Sequence, residues 1–136
     1  MEISIVIPFY NESASVEPLC EAIAREVAPL EGEVEVLLVD DGSTDHTFEK
    51  ARGVARQDRR FKVVKLKNNF GQTAALHAGF EQAKGDIIVT MDGDLQNDPA
   101  DIGRLVSKVR EGYDVVAGYR ENRTESFLMR ELPSQV

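Results

Sequence analysis

The chain has 136 residues, 42% of them hydrophobic and 29% charged, with ten glycines, five prolines and a formal net charge of −8. That composition belongs to one globular domain and excludes a disordered or collagen-like chain, while the net acidity argues against a nucleic-acid duplex as partner. No apolar run reaches the roughly 20 residues that span a bilayer, and ISIVIPFY follows Met1-Glu2 without a signal-peptide pattern. The one cysteine, Cys20, fits a reducing, cytoplasmic setting.

In chain order, Ile3–Phe9 reads as an apolar, β-branched strand. A helix over Ser15–Ala28 follows, holding Cys20 as an inert core thiol. Val34–Val39 is the second strand, and Ser43-Thr44-Asp45 brings capping chemistry to a helix over Asp45–Gln57, with His46 an exposed residue at its start. Phe61–Leu66 is a third strand and Thr73–Ala83 a third helix, in which His77 reads as a packing residue. Asp86–Met91 is a continuous apolar strand. Asp98-Pro99, a cap followed by proline, opens a helix over Pro99–Glu111, and Asp114–Ala117 is a short last strand. Apolar strands alternating with helices predict an α/β fold, a mainly parallel sheet of about five strands covered on both faces. Charge is uneven along it. Residues 1–50 hold twelve acidic side chains against Arg25 and Lys50, whereas 51–67 hold seven basic ones against Asp58 alone. The basic stretch reads as a solvated helix end leading into a strand.

Ligands of such sheets collect beyond the carboxyl ends of the strands, and three polar clusters fall there: Pro8-Phe9-Tyr10-Asn11-Glu12, Asp40-Asp41-Gly42-Ser43 and Asp92-Gly93-Asp94-Leu95-Gln96. Carboxylates gathered on one edge repel each other, so a cation is expected among them. Asp92 and Asp94, two residues apart around Gly93, point to a hard ion such as Mg²⁺ or Mn²⁺, with Gln96 offering a third oxygen. Such an ion bridges the phosphates of a nucleoside diphosphate and neutralises charge on the leaving group. The Asp40-Asp41 cluster reads either as an acceptor for a base N–H and ribose hydroxyl or as part of a helix cap made by Ser43 or Asp45. Tyr10 reads as a stacking surface for a base or as core, with Asn11 and Glu12 as polar contacts. No G-x-G-x-x-G follows the first strand, which excludes a dinucleotide-binding dehydrogenase. A phosphoacceptor receiver domain fits poorly, because the acidic pair follows the second strand.

The ordered segments IVIPFYNE, VDDGSTD, NNFGQTAALHAGF, GDIIVTMDGDLQNDP and YDVVAGYR resemble family-2 glycosyltransferases of the GT-A fold over essentially the whole chain. Within that family the likeness is to polyprenyl-phosphate glycosyltransferases, such as dolichol-phosphate mannosyltransferases and bacterial undecaprenyl-phosphate sugar transferases. The resemblance implies that Pro8, Tyr10, Glu12 and Asp41, together with Asp92, hold the nucleotide, and that Asp92, Asp94 and Gln96 hold the metal and diphosphate. It implies inverting transfer of a sugar from a UDP-sugar or GDP-mannose to a polyprenyl phosphate, by an enzyme peripheral at the inner face of the membrane. A lipid phosphate is already an anion and needs no general base; it needs cationic positioning, which arginine supplies. Arg120 matches the family arginine near the acceptor phosphate, and with Asp94 it is a catalytic candidate. Arg130, in SFLMRELPS, resembles a second phosphate-binding arginine on a membrane-facing helix that Phe127-Leu128-Met129 would begin. Residues 1–120 are then the nucleotide-sugar-binding core and 121–136 the start of an acceptor and membrane-interface segment, cut short where relatives continue. That truncation favours a homo-oligomer through exposed apolar surface. Two alternatives stay open: a family-2 enzyme with a saccharide acceptor, and a binding-only nucleotide-sugar domain.

Overall fold

The computed structural model describes residues 2–30, 32–93 and 98–112, and describes the segments 115–119 and 126–131 by their backbone. The elements are β1 (Ile3–Phe9), α1 (Ser13–Val27), β2 (Val34–Asp40), α2 (Thr47–Gln57), β3 (Phe61–Lys65), α3 (Gln72–Gln82), β4 (Ile87–Thr90), α4 (Asp101–Arg110), β5 (Val115–Tyr119) and β6 (Ser126–Glu131). They form one sheet in the order β3-β2-β1-β4-β6-β5. β1 pairs in parallel with β2 and β4, and β2 with β3, giving the mainly parallel sheet expected from the strand pattern.

β1 is buried at every position, which is why its sequence is a continuous apolar run rather than an alternating one. Ile3, Ile5, Ile7 and Phe9 pack in one core cluster with residues of α1, α2 and α4, such as Val16, Ala51 and Ile102. Val6 on the opposite face packs with Leu37, Val39 and Ala75 of α3. The chain thus steps from β1 out to β3 under one helical layer, then returns through α3 on the other face to set β4 on the far side of β1. Strand order reverses between β1 and β4, and this is where an open α/β sheet forms its crevice.

Two expectations are corrected. Phe127-Leu128-Met129 do not begin a helix; they lie in β6, with Met129 opposite Val89 of β4 and Val116 of β5. The run carries little β preference of its own, but β4 presents an open ladder of backbone groups, and pairing there overrides propensity. His77 is not a packing residue: its side chain is 73% exposed, with Nε2 2.8 Å from Glu81 Oε1 one turn on. Ahead of α2, whose N-cap position is His46, it is Asp45 of the expected pair Ser43 and Asp45 that acts, its Oδ1 accepting the Thr47 N–H at 2.9 Å and the Thr47 hydroxyl at 2.6 Å. The Thr47 hydroxyl, with the backbone N–H groups of Thr47 and Ser13, holds the Asp45 carboxyl below its usual range despite some desolvation. Cys20 is buried as expected, and burial pushes its thiol up to about 12, which keeps it inert.

At the amino edge of the sheet Glu35 is buried at 1% exposure. Its Oε2 accepts the Ser4 hydroxyl at 2.5 Å and the Lys84 N–H at 2.7 Å, while Lys62 Nζ lies 3.0 Å from Oε1. Burial alone would raise this carboxyl, but the bonds from Ser4, Lys84 and Lys62 outweigh it and hold it below the ordinary glutamate value. The arrangement clips the α3–β4 connection onto β1 and β2, at the end of the sheet away from the crevice.

Candidate functional site

The crevice opens because the β1–β4 ladder stops early. Its last pair is Val6 with Thr90, after which the Met91 N–H reaches Val6 O at 3.1 Å. Pro8 faces the same side two residues on, beyond the end of β4, so its missing N–H removes no ladder bond. Gly93 then packs against the splayed end of β1. A Cβ there would stand 2.5 Å from Phe9 Cδ1 and 2.7 Å from Pro8 O, so glycine is required for close approach and not for a left-handed backbone. The result is a cleft of about 380 Å³ into which Pro8, Tyr10, Glu12, Asp41 and Asp92 all contribute lining. Five site residues named from the sequence thus converge on one place.

Three further lining residues, Asn69, Gly71 and Gln72, come from the β3–α3 connection. Their segment, NNFGQ, is visible in the sequence as part of the family resemblance, yet nothing in its composition assigns it to the site. The link is Asp41, a residue only 3% exposed. Its Oδ1 accepts the Phe70 N–H at 2.8 Å, and its Oδ2 accepts the Gly71 N–H and Asn69 Nδ2, each at 3.0 Å. A carboxylate at the end of β2 therefore sets the shape of a loop thirty residues away. Oδ1, which accepts one of these bonds, retains lone-pair capacity for a further donor.

The end of β1 is cross-tied to the β2–α2 connection in the same way. Asn11 sits at φ 49°, in the left-handed region that asparagine tolerates. Its N–H donates to Ser43 Oγ at 2.9 Å and its Oδ1 accepts the Thr44 N–H at 2.8 Å. Glu12 Oε1 accepts the Tyr10 N–H at 3.1 Å, and the Glu12 N–H donates to Thr47 Oγ1 at 2.9 Å. Tyr10 is 42% exposed on the cleft wall, so it is not core. The cross-tied turn holds Tyr10 on that wall.

Asp92 follows β4 and receives the Gln72 amide N–H on Oδ1 at 2.9 Å. An oxygen donor of this kind, with neither sulfur nor imidazole lining the cleft among the described residues, matches Mg²⁺ or Mn²⁺ chemistry. Asp94, Gln96 and Arg120 lie outside the described residues, as does the side chain of Arg130, whose backbone is in β6 opposite Ile88. Among the described residues no group of three or more His, Cys, Asp or Glu side chains forms a metal cluster. No helix among them is long and apolar enough to cross a membrane.

Residues 4–135 match the family described as Glycosyl transferase family 2. A dodecaprenyl-phosphate galacturonate synthase of Rhizobium johnstonii is 46% identical over 98% of this chain and 40% of its own length. An undecaprenyl-phosphate 4-deoxy-4-formamido-L-arabinose transferase of Proteus mirabilis is 43% identical over 95% of this chain and 40% of its own length. The chain thus spans about 40% of the length of these curated relatives. Among solved structures, a mannosyltransferase of Pyrobaculum calidifontis in complex with GDP-Man and Mn²⁺ superposes at TM-score 0.83 with 20% identity, over 96% of this chain and 44% of that one. A glucosyl-3-phosphoglycerate synthase of Mycobacterium tuberculosis with Mn²⁺, UDP and product superposes at 0.76 with 23% identity, over 96% of this chain and 56% of that one. The fold is therefore GT-A.

Proposed function

Since the chain belongs to glycosyl transferase family 2, we propose that it is the donor-binding part of an inverting, divalent-metal-dependent glycosyltransferase that moves a sugar from a nucleoside diphosphate to a polyprenyl phosphate. The observation that carries this reading is the convergence of Tyr10, Asp41 and Asp92 on one cleft at the β1–β4 switch point. The names of the relatives above 40% identity support the acceptor.

In this reading the nucleoside enters between β1 and β2. Tyr10 offers its ring face to the base, and Asp41 accepts from a base or ribose donor while keeping the 69–71 loop in place. Glu12 fixes the Tyr10 turn. Asp92, with Asp94 and Gln96 beyond it, holds Mg²⁺ or Mn²⁺, which when bound neutralises charge on the departing diphosphate. Arg120 takes the acceptor phosphate, whose own negative charge removes any need for a base; Arg130 is left out of this role, because its backbone lies opposite Ile88, in the row of Ser4 and Glu35 at the end of the sheet away from the crevice. The donor is a UDP-sugar or GDP-mannose, since a carboxylate accepts from uracil and guanine alike. The protein works as a peripheral enzyme at the membrane surface, in the cytoplasm.

A second reading rests on the cleft alone, whose described lining offers a nucleotide and metal site. In that reading it binds the nucleotide sugar without transferring it. Calorimetric titration with UDP and with GDP, with and without Mn²⁺, tests the donor site first. Micromolar binding of one nucleotide that vanishes without metal supports both readings, and turnover with a polyprenyl phosphate then separates them. Absence of binding to either nucleotide overturns both.

A further inference from the structure

We infer that the corner of the molecule formed by the β3–α3 loop and the adjoining face of α2 is a docking surface for an anionic lipid membrane. Phe70 is the side chain that enters the bilayer interface, and Lys65, Lys67 and Arg52 are the cationic contacts around it. The inference rests on the reading of the acceptor as a lipid-bound phosphate.

Among the described residues two large hydrophobic side chains stand in solvent, Tyr10 at 42% and Phe70 at 61% exposure. Tyr10 lines the cleft and has a use there. Phe70 does not line it, although Asn69 and Gly71 on either side do. Its ring therefore stands outside the cleft mouth. Nor is this a loose loop that happens to expose a ring. Asp41 holds the Phe70 N–H at 2.8 Å and the Gly71 N–H at 3.0 Å, so the backbone is latched at and beside the exposed residue. A rigidly presented aromatic has already lost the freedom that binding would otherwise remove.

Charge selects the partner. The chain carries a net −8, and an anionic surface repels most of it. Residues 51–67 are the exception, with seven basic side chains against Asp58. Arg52, Arg56, Arg59, Lys65 and Lys67 in this stretch are exposed, and none makes an ion pair among the described residues. Lys65 Nζ lies 4.4 Å from the centroid of the Phe48 ring, which joins the end of β3 to the first turn of α2, and the exposed Arg52 follows Phe48 four residues on along that helix. Cations around one inserted aromatic ring are the chemistry of a peripheral membrane contact. Protection of an edge strand accounts for lysines along β3, but it leaves the exposed ring of Phe70 unexplained. The position also makes sense for the reaction. With cleft-lining residues immediately on both sides, burying Phe70 in the interface brings the cleft mouth within about 10 Å of the headgroups, the span of about three residues.

The test is co-sedimentation with phosphatidylcholine vesicles, with and without phosphatidylglycerol, run beside calorimetry with UDP or GDP and Mn²⁺ on the same preparations. Wild-type protein is expected on the phosphatidylglycerol vesicles and to leave them as salt rises. Phe70→Ser should lower partitioning roughly tenfold, and Lys65→Gln with Lys67→Gln about fivefold for each charge removed, with nucleotide affinity unchanged. Equal vesicle binding by the variants and wild type overturns the inference, as does absence of binding by wild type. So does a concentration-dependent dimer that Phe70→Ser abolishes without any response to vesicles, which would assign the corner to a second copy of the chain. Loss of nucleotide binding in wild type with vesicle binding intact sinks the donor-site reading and leaves the surface standing as a membrane contact.

Discussion

Gln72 Nε2 donates to Asp92 Oδ1 at 2.9 Å, tying the first residue of α3 to the end of β4 at the cleft. An amide fixes the direction of this carboxylate through a neutral N–H and not through a counter-charge. A lysine at the same place would supply the positive charge itself. Partners that orient a metal-binding carboxylate typically contribute ten- to a hundredfold in metal affinity. Gln72→Ala is therefore expected to weaken Mn²⁺-dependent nucleotide binding by roughly 10–100-fold with the fold retained. Gln72→Lys should instead make the remaining binding less dependent on metal. Titrations at several Mn²⁺ concentrations check both, and unchanged metal dependence in the two variants would refute the role.

Asp41 is the latch of the 69–71 loop, and Asp41→Asn isolates that function from its size. One carboxylate oxygen becomes an NH₂ group facing N–H donors, so at least one of the bonds to Phe70, Gly71 or Asn69 is lost. The expected cost is about 1–3 kcal/mol. Amide exchange at Phe70 and Gly71 should accelerate far more than exchange in β1 or β2. Nucleotide affinity should fall in parallel. Wild-type exchange rates at both amides would show that the loop holds its shape without Asp41.

The contrast between Asp41 and Asn69 shows how far the sequence reaches. Continuous apolar blocks place β1, β2 and β4, because strands buried on both faces need them, and the sheet rule then puts Tyr10, Asp41 and Asp92 on one edge. Asn69, Gly71 and Gln72 are not legible in that way. Gly71 joins the site through its backbone N–H to Asp41, Asn69 through Nδ2 to the same carboxylate and Gln72 through Nε2 to Asp92, and neither a backbone donor nor the choice of a distant partner leaves a mark in the sequence. β6 is hidden for a related reason, since Ser126–Glu131 is a strand through its pairing with β4 and β5 and not through its residue types. His77 carries the opposite lesson. An imidazole inside an apolar helical stretch reads as packed, but the helix turns it outward to Glu81.

Gly93 and Gly71 both line the cleft but are required for different reasons, and alanine distinguishes them. At Gly93 a methyl group would meet Phe9 Cδ1 at 2.5 Å and Pro8 O at 2.7 Å, atoms with little room to retreat. Overpacking of this sort costs about 1–3 kcal/mol, and the displaced Phe9 and Pro8 narrow the cleft, so Gly93→Ala should lose nucleotide binding as well as stability. At Gly71 the space is open, but φ is +102°. Gly71→Ala should cost about 1–3 kcal/mol through strain, because φ 102° with ψ 162° is a region essentially reserved for glycine, moving the start of α3 and with it Gln72. Thermal unfolding and nucleotide titration of the two variants check the pair. A Gly93→Ala protein with wild-type stability would contradict the close packing.

Glu35 predicts how stability responds to acid. Its carboxyl titrates below the ordinary glutamate value of about 4.3 because, burial notwithstanding, Ser4, the Lys84 N–H and Lys62 favour the charged form. A group with a depressed folded pKa contributes stability above its unfolded pKa and loses it as pH falls through the folded one. The contribution is therefore complete at neutral pH and disappears progressively below about pH 4.3. Glu35→Gln keeps the shape but sets an amide nitrogen among donors, so it should be about 1–3 kcal/mol less stable at pH 7. Its deficit should shrink toward low pH. Asp45 and Asp58 are lowered as well, by hydrogen bonds from Thr47 and Arg60 respectively, so the variant retains part of the acid slope. Urea unfolding at pH 7 and below pH 4 measures the difference, and a deficit that stays constant with pH would mean that Glu35 acts through its shape alone.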